Sequence, residues 1–257
     1  MFKIGLKLWS TNKNYVKEAE RLFDQGYCQY IELFAVPNTY DDYAVNWKNV
    51  NVPFVIHAAH STNGGLNLSN PEMFKLNMAL TLEAQKYADL LCSEFVIFHS
   101  GINGNIAETS RQINLINDSR FVIENKPYFG LVGDNRCVCV GCLPEEILYL
   151  KNNCNIKFCL DIGHAVYAAN ALKKDKINFI DEFIELRPVM YHLSDGNWLG
   201  VNDDHEKLGN GSFRFDQILR LLSKGSIVTI ETKHIHKDSL DDFMKEVLFL
   251  RENAAHV

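Results

Sequence analysis

Three observations predict that the chain folds as one (β/α)8 TIM barrel over residues 1–257. Eight short runs rich in Ile, Val and Phe alternate with stretches of helical periodicity. The runs are apolar almost throughout, as the strands of a parallel sheet covered on both faces must be. No Pro/Gly/Ser linker, internal repeat or low-complexity segment divides the 257 residues, a length that suits one closed barrel.

Taken in order, the first run is Ile4–Trp9. A helical pattern from Tyr15 to Gln25 aligns Val16, Ala19, Leu22 and Phe23, and Gly26 stops it. The second run, Tyr30–Ala35, leads into a polar, aromatic loop through Asp41, Asp42 and Trp47, and Pro53–His57 is the third strand. Asn70-Pro71 opens a helix, with a capping side chain followed by proline at the first helical position. That helix reaches Leu91 and carries Phe74, Met78, Leu82 and Tyr87 near one face. Phe95–His99 and Phe121–Glu124 are the next strands, with a short polar helix over Ala107–Asn117 between them. The remaining strands are Lys157–Asp161, Val189–Leu193 and Ile227–Glu231. The helices Pro144–Lys151, Ile177–Leu186, Phe213–Leu222 and Leu240–Arg251 accompany them.

Composition narrows the class of function. The chain is 47% hydrophobic and 23% charged, ordinary for a globular protein. Its 26 Lys+Arg against 32 Asp+Glu give a formal charge of −6, which weighs against a globally basic surface for nucleic acid and leaves a local basic groove open. No apolar stretch reaches the length of a membrane span and no secretory leader pattern opens the chain, so no membrane partner is expected. The seven cysteines are an odd number without the density of a disulfide scaffold, which points to a reducing, cytoplasmic setting.

The functional signal is positional. His57, His99, Glu124, Asp161 and Glu231 close their strands and His192 lies next to the end of its own, so six successive strands are marked, with His164 just past one and Asp203 and His205 in the loop past another. In a parallel barrel these ends converge on one mouth. A single strand-end histidine is ordinarily a satisfied structural residue. Burying this many imidazoles and carboxylates together without a cation, however, is costly in desolvation and repulsion. Histidine with Asp/Glu suits Zn²⁺, Mn²⁺ or Fe²⁺.

The ordered motifs carry a resemblance. They are Ile31-Glu32-Leu33, Val55-Ile56-His57, Leu66-Asn67-Leu68-Ser69-Asn70-Pro71, Phe98-His99-Ser100-Gly101 and Ile123-Glu124-Asn125. They continue with Cys159-Leu160-Asp161-Ile162-Gly163-His164-Ala165, His192-Leu193-Ser194-Asp195, Asp203-Asp204-His205 before Leu208-Gly209-Asn210-Gly211, and Ile230-Glu231-Thr232. In this order the chain resembles the xylose-isomerase-like barrel superfamily, which contains endonuclease IV and many sugar isomerases and epimerases.

The likeness to endonuclease IV implies up to three metal ions, zinc foremost. His57 and His99 would hold the first, with Glu124 bridging to a second completed by Asp161, His192 and Glu231. His164, Asp203 and His205 would hold the third. Clustered cations neutralise a phosphodiester and activate water, so the implied activity is phosphoester hydrolysis at damaged DNA, an abasic or otherwise modified nucleotide. The likeness to the isomerases implies instead one metal on Glu124, Asp161, His192 and Glu231. There Glu124 and Glu231 would be catalytic and move a proton beside the carbonyl of a small sugar or sugar phosphate. The chain differs from the endonuclease pattern in having no arginine in the loop at 35–42, His60 where a tyrosine is usual, and Glu124-Asn125-Lys126-Pro127 in place of a small-residue run.

The other candidates have ordinary structural readings beside functional ones. Trp9 and Trp198 are candidates to stack on a sugar or base, and His60 and Lys126 to meet substrate, Lys126 through a phosphate. Asp195 is read as orienting His192, and Gly209-x-Gly211 as a tight turn. Cys137, Cys139 and Cys142, with Cys154, lack paired Cys-x-x-Cys spacing and are read as loop and strand-edge thiols, not a zinc site. His234 and His236 are read as solvated loop histidines.

Overall fold

The computed structural model describes residues 2–61, 64–233 and 239–255. Eight parallel strands close a barrel: β1 (Lys3–Trp9), β2 (Tyr30–Ala35), β3 (Phe54–Ala58), β4 (Val96–His99), β6 (Phe121–Glu124), β9 (Lys157–Asp161), β10 (Met190–Leu193) and β11 (Ile227–Ile230). They follow in that order around the barrel, and β11 pairs with β1, Lys3 opposite Ile227. Each expected strand is present within a residue or two of its predicted ends. Glu231 lies one residue past β11.

Strand alternation explains the interior. Tyr30, Val55, Ile97, Val122, Cys159 and Met190 form an apolar cluster inside the barrel. Two residues further along the same strands come Glu32, His57, His99, Glu124, Asp161 and His192. The two remaining strands follow suit, with Lys7 two beyond Gly5 and Glu231 two beyond Thr229. All eight strands therefore bring a charged or imidazole side chain to the mouth, above an apolar floor. Gly5 is required by that floor, because a Cβ there would lie 2.2 Å from the Tyr30 ring.

Helices cover the outside: α1 (Val16–Asp24), α2 (Tyr40–Trp47), α3 (Phe74–Leu90), α4 (Ile106–Ile116), α5 (Pro144–Asn153), α6 (Ile162–Leu172), α7 (Lys176–Ile184), α8 (Phe215–Leu221) and α9 (Asp241–Ala255). The short polar α4 forms as expected, with Asn105 capping the Glu108 amide at 2.9 Å. A 3-10 turn over Pro71–Met73 precedes α3, capped by Asn70. The buried face of α3 is not the expected one. Leu82 is exposed, while Asn77, Leu80, Thr81, Ala84, Tyr87 and Ala88 face inward. Asn77 is satisfied there by Asn67 and Gln112.

Three elements depart from the sequence reading. The loop through Asp41, Asp42 and Trp47 is helix α2, and Trp47 is buried with its indole N–H donating to Ser10 O at 2.7 Å. Its start is capped from afar, since Glu83 of α3 accepts from the amides of Asn38, Thr39 and Tyr40. Helix α6 begins without a loop on the last residue of β9, where the Asp161 carboxylate accepts from the His164 amide. The cysteine-rich segment forms a hairpin of β7 (Phe129–Val132) and β8 (Asn135–Val140), turned by Gly133-Asp134 with Gly133 at φ +59°. It pairs with the two-residue β5 (Gly101–Ile102) beside the barrel mouth. Among the described residues, no helix is long and apolar enough to cross a membrane.

Candidate metal centre

The mouth gathers all nine strand-end candidates. Glu124 is at its centre, fully buried. Its Oε2 lies 3.1 Å from His57 Nε2, 3.1 Å from His99 Nε2 and 3.3 Å from His192 Nδ1, and its Oε1 lies 3.2 Å from His164 Nδ1. Glu231 Oε2 is 2.7 Å from His192 Nδ1. Asp203 Oδ2 is shared by His164 Nε2 at 3.1 Å and His205 Nε2 at 2.9 Å.

The donor atoms resolve into compact groups, His57/His99/Glu124, Glu124/Asp161/His192/Glu231 and His164/Asp203/His205, each with ligand atoms within 4.8 Å of one another. A further group, Glu124/Cys159/His192, lies deeper. Buried His99 Nε2, Glu124 Oε1, Asp161 Oδ2, His192 Nδ1, Asp203 Oδ1 and Glu231 Oε2 make no hydrogen bond of good geometry. Orphaned polar atoms at this density are costly unless a cation completes them. The donor set of imidazole and carboxylate fits Zn²⁺, Mn²⁺ or Fe²⁺.

The charges lean on one another. Burial would raise the Glu124 carboxyl, but His99 and His192 hold it well below the usual range. Burial likewise opposes charge on Asp203, which His205 and His164 nonetheless hold low. Asp161 is pushed up to about 6 by burial, against the pull of His164. Burial pulls His205 down, but the charge and hydrogen bond of Asp203, joined by Glu231 and Asp161, raise it to about 9. His99 falls to about 3, through burial first and Lys126 second.

Two residues of the mouth were given no role in the sequence reading, Glu32 having entered only within the Ile31-Glu32-Leu33 motif. Lys7 of β1 puts its ammonium 2.8 Å from Glu32 Oε1 and 2.9 Å from Glu231 Oε1. Glu32 of β2 accepts from His192 Nε2–H at 2.8 Å and from Thr229 Oγ1 at 2.6 Å. A carboxylate and an ammonium inside apolar strands are themselves the signal, because such groups are almost never fully buried unpaired.

Above the donors lies a cavity of about 580 Å³. Trp9, His60 and Lys126 line it, as do Phe34 and the hairpin residues Phe129 and Leu131. Trp9 rests against Phe34 at 5.4 Å between centroids, and His60 stacks on His99 at 5.0 Å. Trp198 does not line this cavity. Its loop folds back on the helical layer, where the ring packs edge-on against Phe213 at 5.9 Å and its carbonyl accepts from Asn170.

Cys137 and Cys139 are buried against Ile102 on the inner face of the hairpin, and burial pushes the Cys139 and Cys142 thiols up. The donor groups contain neither of them nor Cys142, in keeping with ordinary thiols. His234 and His236 lie outside the described residues.

Asp195 does not orient His192. Its carboxylate accepts from the amides of Gly196 and Phe213 on one oxygen and of Gly209 and Gly211 on the other, at 2.8–3.0 Å. The Gly209-x-Gly211 turn wraps it so closely that a Cβ on Gly211 would lie 2.3 Å from Asp195 Oδ1. A two-way backbone bridge to Glu206 pins the segment beside His205. Replacing Asp195 with Asn turns an amide NH₂ onto two N–H donors. We expect a loss of about 2–3 kcal/mol in denaturant unfolding and metal binding at His164/Asp203/His205 weaker by about 10-fold. Unchanged unfolding would remove Asp195 as the anchor.

The fold and site place the chain among known proteins. It is 26% identical over 220 residues to the uncharacterized protein MJ1311 of Methanocaldococcus jannaschii, covering 77% of this chain and 69% of that one. Among solved structures it is similar to a D-tagatose 3-epimerase-like protein (TM-score 0.73, 20% identity, 100% of this chain and 98% of the other). It is similar also to endonuclease IV from Thermus thermophilus (TM-score 0.70, 20% identity, 99% of this chain and 100% of the other). The model of the xylose isomerase-like TIM barrel family matches residues 28–253, and the chain belongs to that family.

Proposed function

We propose that the protein is a divalent-metal-dependent hydrolase of small phosphoesters. One observation carries the reading: a second donor group, His164/Asp203/His205, abuts the Glu124 group, and the His164 ring touches both Glu124 and Asp203. Proton transfer on a sugar needs only Glu124, Asp161, His192 and Glu231. Two adjoining groups suit phosphoester chemistry, in which paired cations, zinc or manganese here, neutralise the phosphate and lower the pKa of an attacking water.

The residues supply the rest. Glu231 and Asp203 face the cavity and are placed to take a proton there. Glu124 is enclosed by four imidazoles and fully buried, a position for holding metal and not for touching substrate. Lys126 and Lys233 line the cavity and favour an anion, whereas Lys7 is taken up by Glu32 and Glu231. The substrate is small because Trp9, Phe34, Phe129 and Leu131 wall the mouth, and two lysines are few for the run of phosphates a DNA duplex presents.

The test offers zinc- or manganese-loaded protein bis(p-nitrophenyl) phosphate, sugar phosphates, an abasic DNA duplex, and ketoses in D₂O. Ester hydrolysis that exceeds duplex nicking is the expected result. Deuterium uptake into a sugar without ester hydrolysis would establish the isomerase instead, and efficient nicking of the duplex would make DNA the substrate.

A further inference from the structure

One strand of the barrel builds no rim of its own. β9 lies between β6 and β10, and it carries no loop because α6 starts on its last residue. The rim there comes from its two neighbours: the β7–β8 hairpin, which follows β6, and the loop after β10 that carries Asn202, Asp203 and His205. Both segments line the mouth cavity, the hairpin through Phe129, Gly130 and Leu131. They meet at Arg136. Its Nη2 donates to Asn202 Oδ1 at 3.0 Å, and its guanidinium lies 4.3 Å from the centroid of the Phe129 ring.

The two ends of this bridge are held differently. The base of the hairpin is pinned: β8 pairs with β5, Asn103 and Val138 exchange hydrogen bonds at 2.8 and 3.1 Å, and Cys137 and Cys139 are buried on Ile102. Beyond that base the arm, 131–136, is exposed. The loop after β10 is a fixed post, because Asn170 donates to the carbonyls of Trp198 and Gly200 and Asp195 bridges to Glu206. Arginine suits the junction, since its planar cation stacks on an aromatic face and still donates in its own plane; a lysine ammonium cannot do both.

We propose that Arg136 sets substrate size. By fastening the hairpin to Asn202 it closes the rim over β9, so the mouth takes phosphoesters whose substituent ends within one nucleoside or sugar unit and rejects chains that continue across β9. Arg136 does not itself line the cavity, so it is a positioning residue that acts through Phe129 and Asn202. The inference rests on the phosphoesterase reading of the mouth and narrows its substrate class.

The test compares zinc-loaded wild type, Arg136→Ala and Arg136→Lys on the p-nitrophenyl ester of thymidine monophosphate and on a short single-stranded oligonucleotide. Wild type should favour the small ester. Arg136→Ala should leave kcat and KM for that ester within about 2-fold. Its KM for the oligonucleotide should fall about 10-fold at similar kcat, the scale of a lost charged hydrogen bond and cation–π contact. The sign separates this from a simple charge effect, because removing a cation weakens binding of a polyanion. Arg136→Lys keeps the charge but not the bridge and should behave as Arg136→Ala does. Asn202→Ala removes the acceptor and should move the oligonucleotide KM the same way.

Fluorescence anisotropy of a labelled oligonucleotide, with inorganic phosphate as competitor, reads the same selectivity without turnover. Equal selectivity in wild type and Arg136→Ala, or weaker oligonucleotide binding in Arg136→Ala, overturns the proposal. Tighter oligonucleotide binding in Arg136→Ala without hydrolysis by any of the proteins supports the bridge and overturns the phosphoesterase reading, a distinct failure.

Discussion

Replacing Glu124 with Gln is expected to strip the centre of metal and activity together. Glu124 belongs to three of the four donor groups and touches four imidazoles at 3.1–3.3 Å. Gln keeps the volume but offers one oxygen in place of two and turns N–H groups toward imidazole nitrogens. Its loss should weaken zinc binding by at least about 100-fold, the upper end of what even an outer partner of a ligand contributes. Turnover should fall with it under limiting zinc. Stability gives an independent reading, because a ligand that binds only the folded chain stabilises it in proportion to the logarithm of its affinity. A 100-fold weaker site forfeits about 2.8 kcal/mol of zinc-dependent stabilisation. Calorimetry with and without zinc measures this. A Glu124→Gln protein that gains as much from zinc as the wild type would show that Glu124 holds no metal.

That prediction could be framed from sequence because Glu124 closes a strand, and strand ends of a parallel barrel share one mouth. The same logic brought the other eight candidates to that mouth, since the eight strands were legible from their apolar runs. It failed where a site residue sits before the strand ends. Lys7 precedes Trp9, and Glu32 precedes Ala35, so position along the strand gave no signal for either. What does mark them is charge within an apolar strand. The missed helices have separate causes. Helix α2 is capped by Glu83, more than 40 residues away, which no local pattern reveals. Helix α6 is buried along most of its length and starts with no loop, so it offers neither a polar face nor a break after β9. The hairpin did leave a trace, Gly-Asp between two short runs, overshadowed by the cysteines that follow. Asp195 was misassigned because proximity in sequence to His192 says nothing about which way a side chain turns. Its four amide donors come mostly from the Gly209 turn.

Lys7→Met should be among the most destabilising single changes in the molecule. The lysine ammonium bridges Glu32 and Glu231 and is 8% exposed; burial would lower its pKa, but the two carboxylates raise it well above the ordinary value. Glu32 is completely buried, and despite that burial His192 and Lys7 hold its carboxyl down to about 2. Methionine replaces the stem without the charge, which leaves two carboxylates facing each other in an apolar barrel. Breaking a buried ion pair from one side typically costs about 3–5 kcal/mol, because the surviving charge is uncompensated. Denaturant unfolding of the metal-free protein should show a loss of that size at neutral pH. The sign of its pH dependence follows from Glu32. A carboxyl depressed in the fold stabilises above its unfolded pKa, near 4.5, and that contribution disappears as the pH falls toward 2. The difference between wild type and Lys7→Met should therefore be widest above about pH 4.5 and narrow below it. Glu32→Gln in the Lys7→Met background removes the stranded charge and should recover about 1–3 kcal/mol, a coupling that a double-mutant cycle reads directly. A Lys7→Met deficit that stays constant through acid pH, or a double variant no more stable than the single, would mean that Glu32 is compensated by His192 and Thr229 alone. Lys7 would then serve the cavity and not the fold.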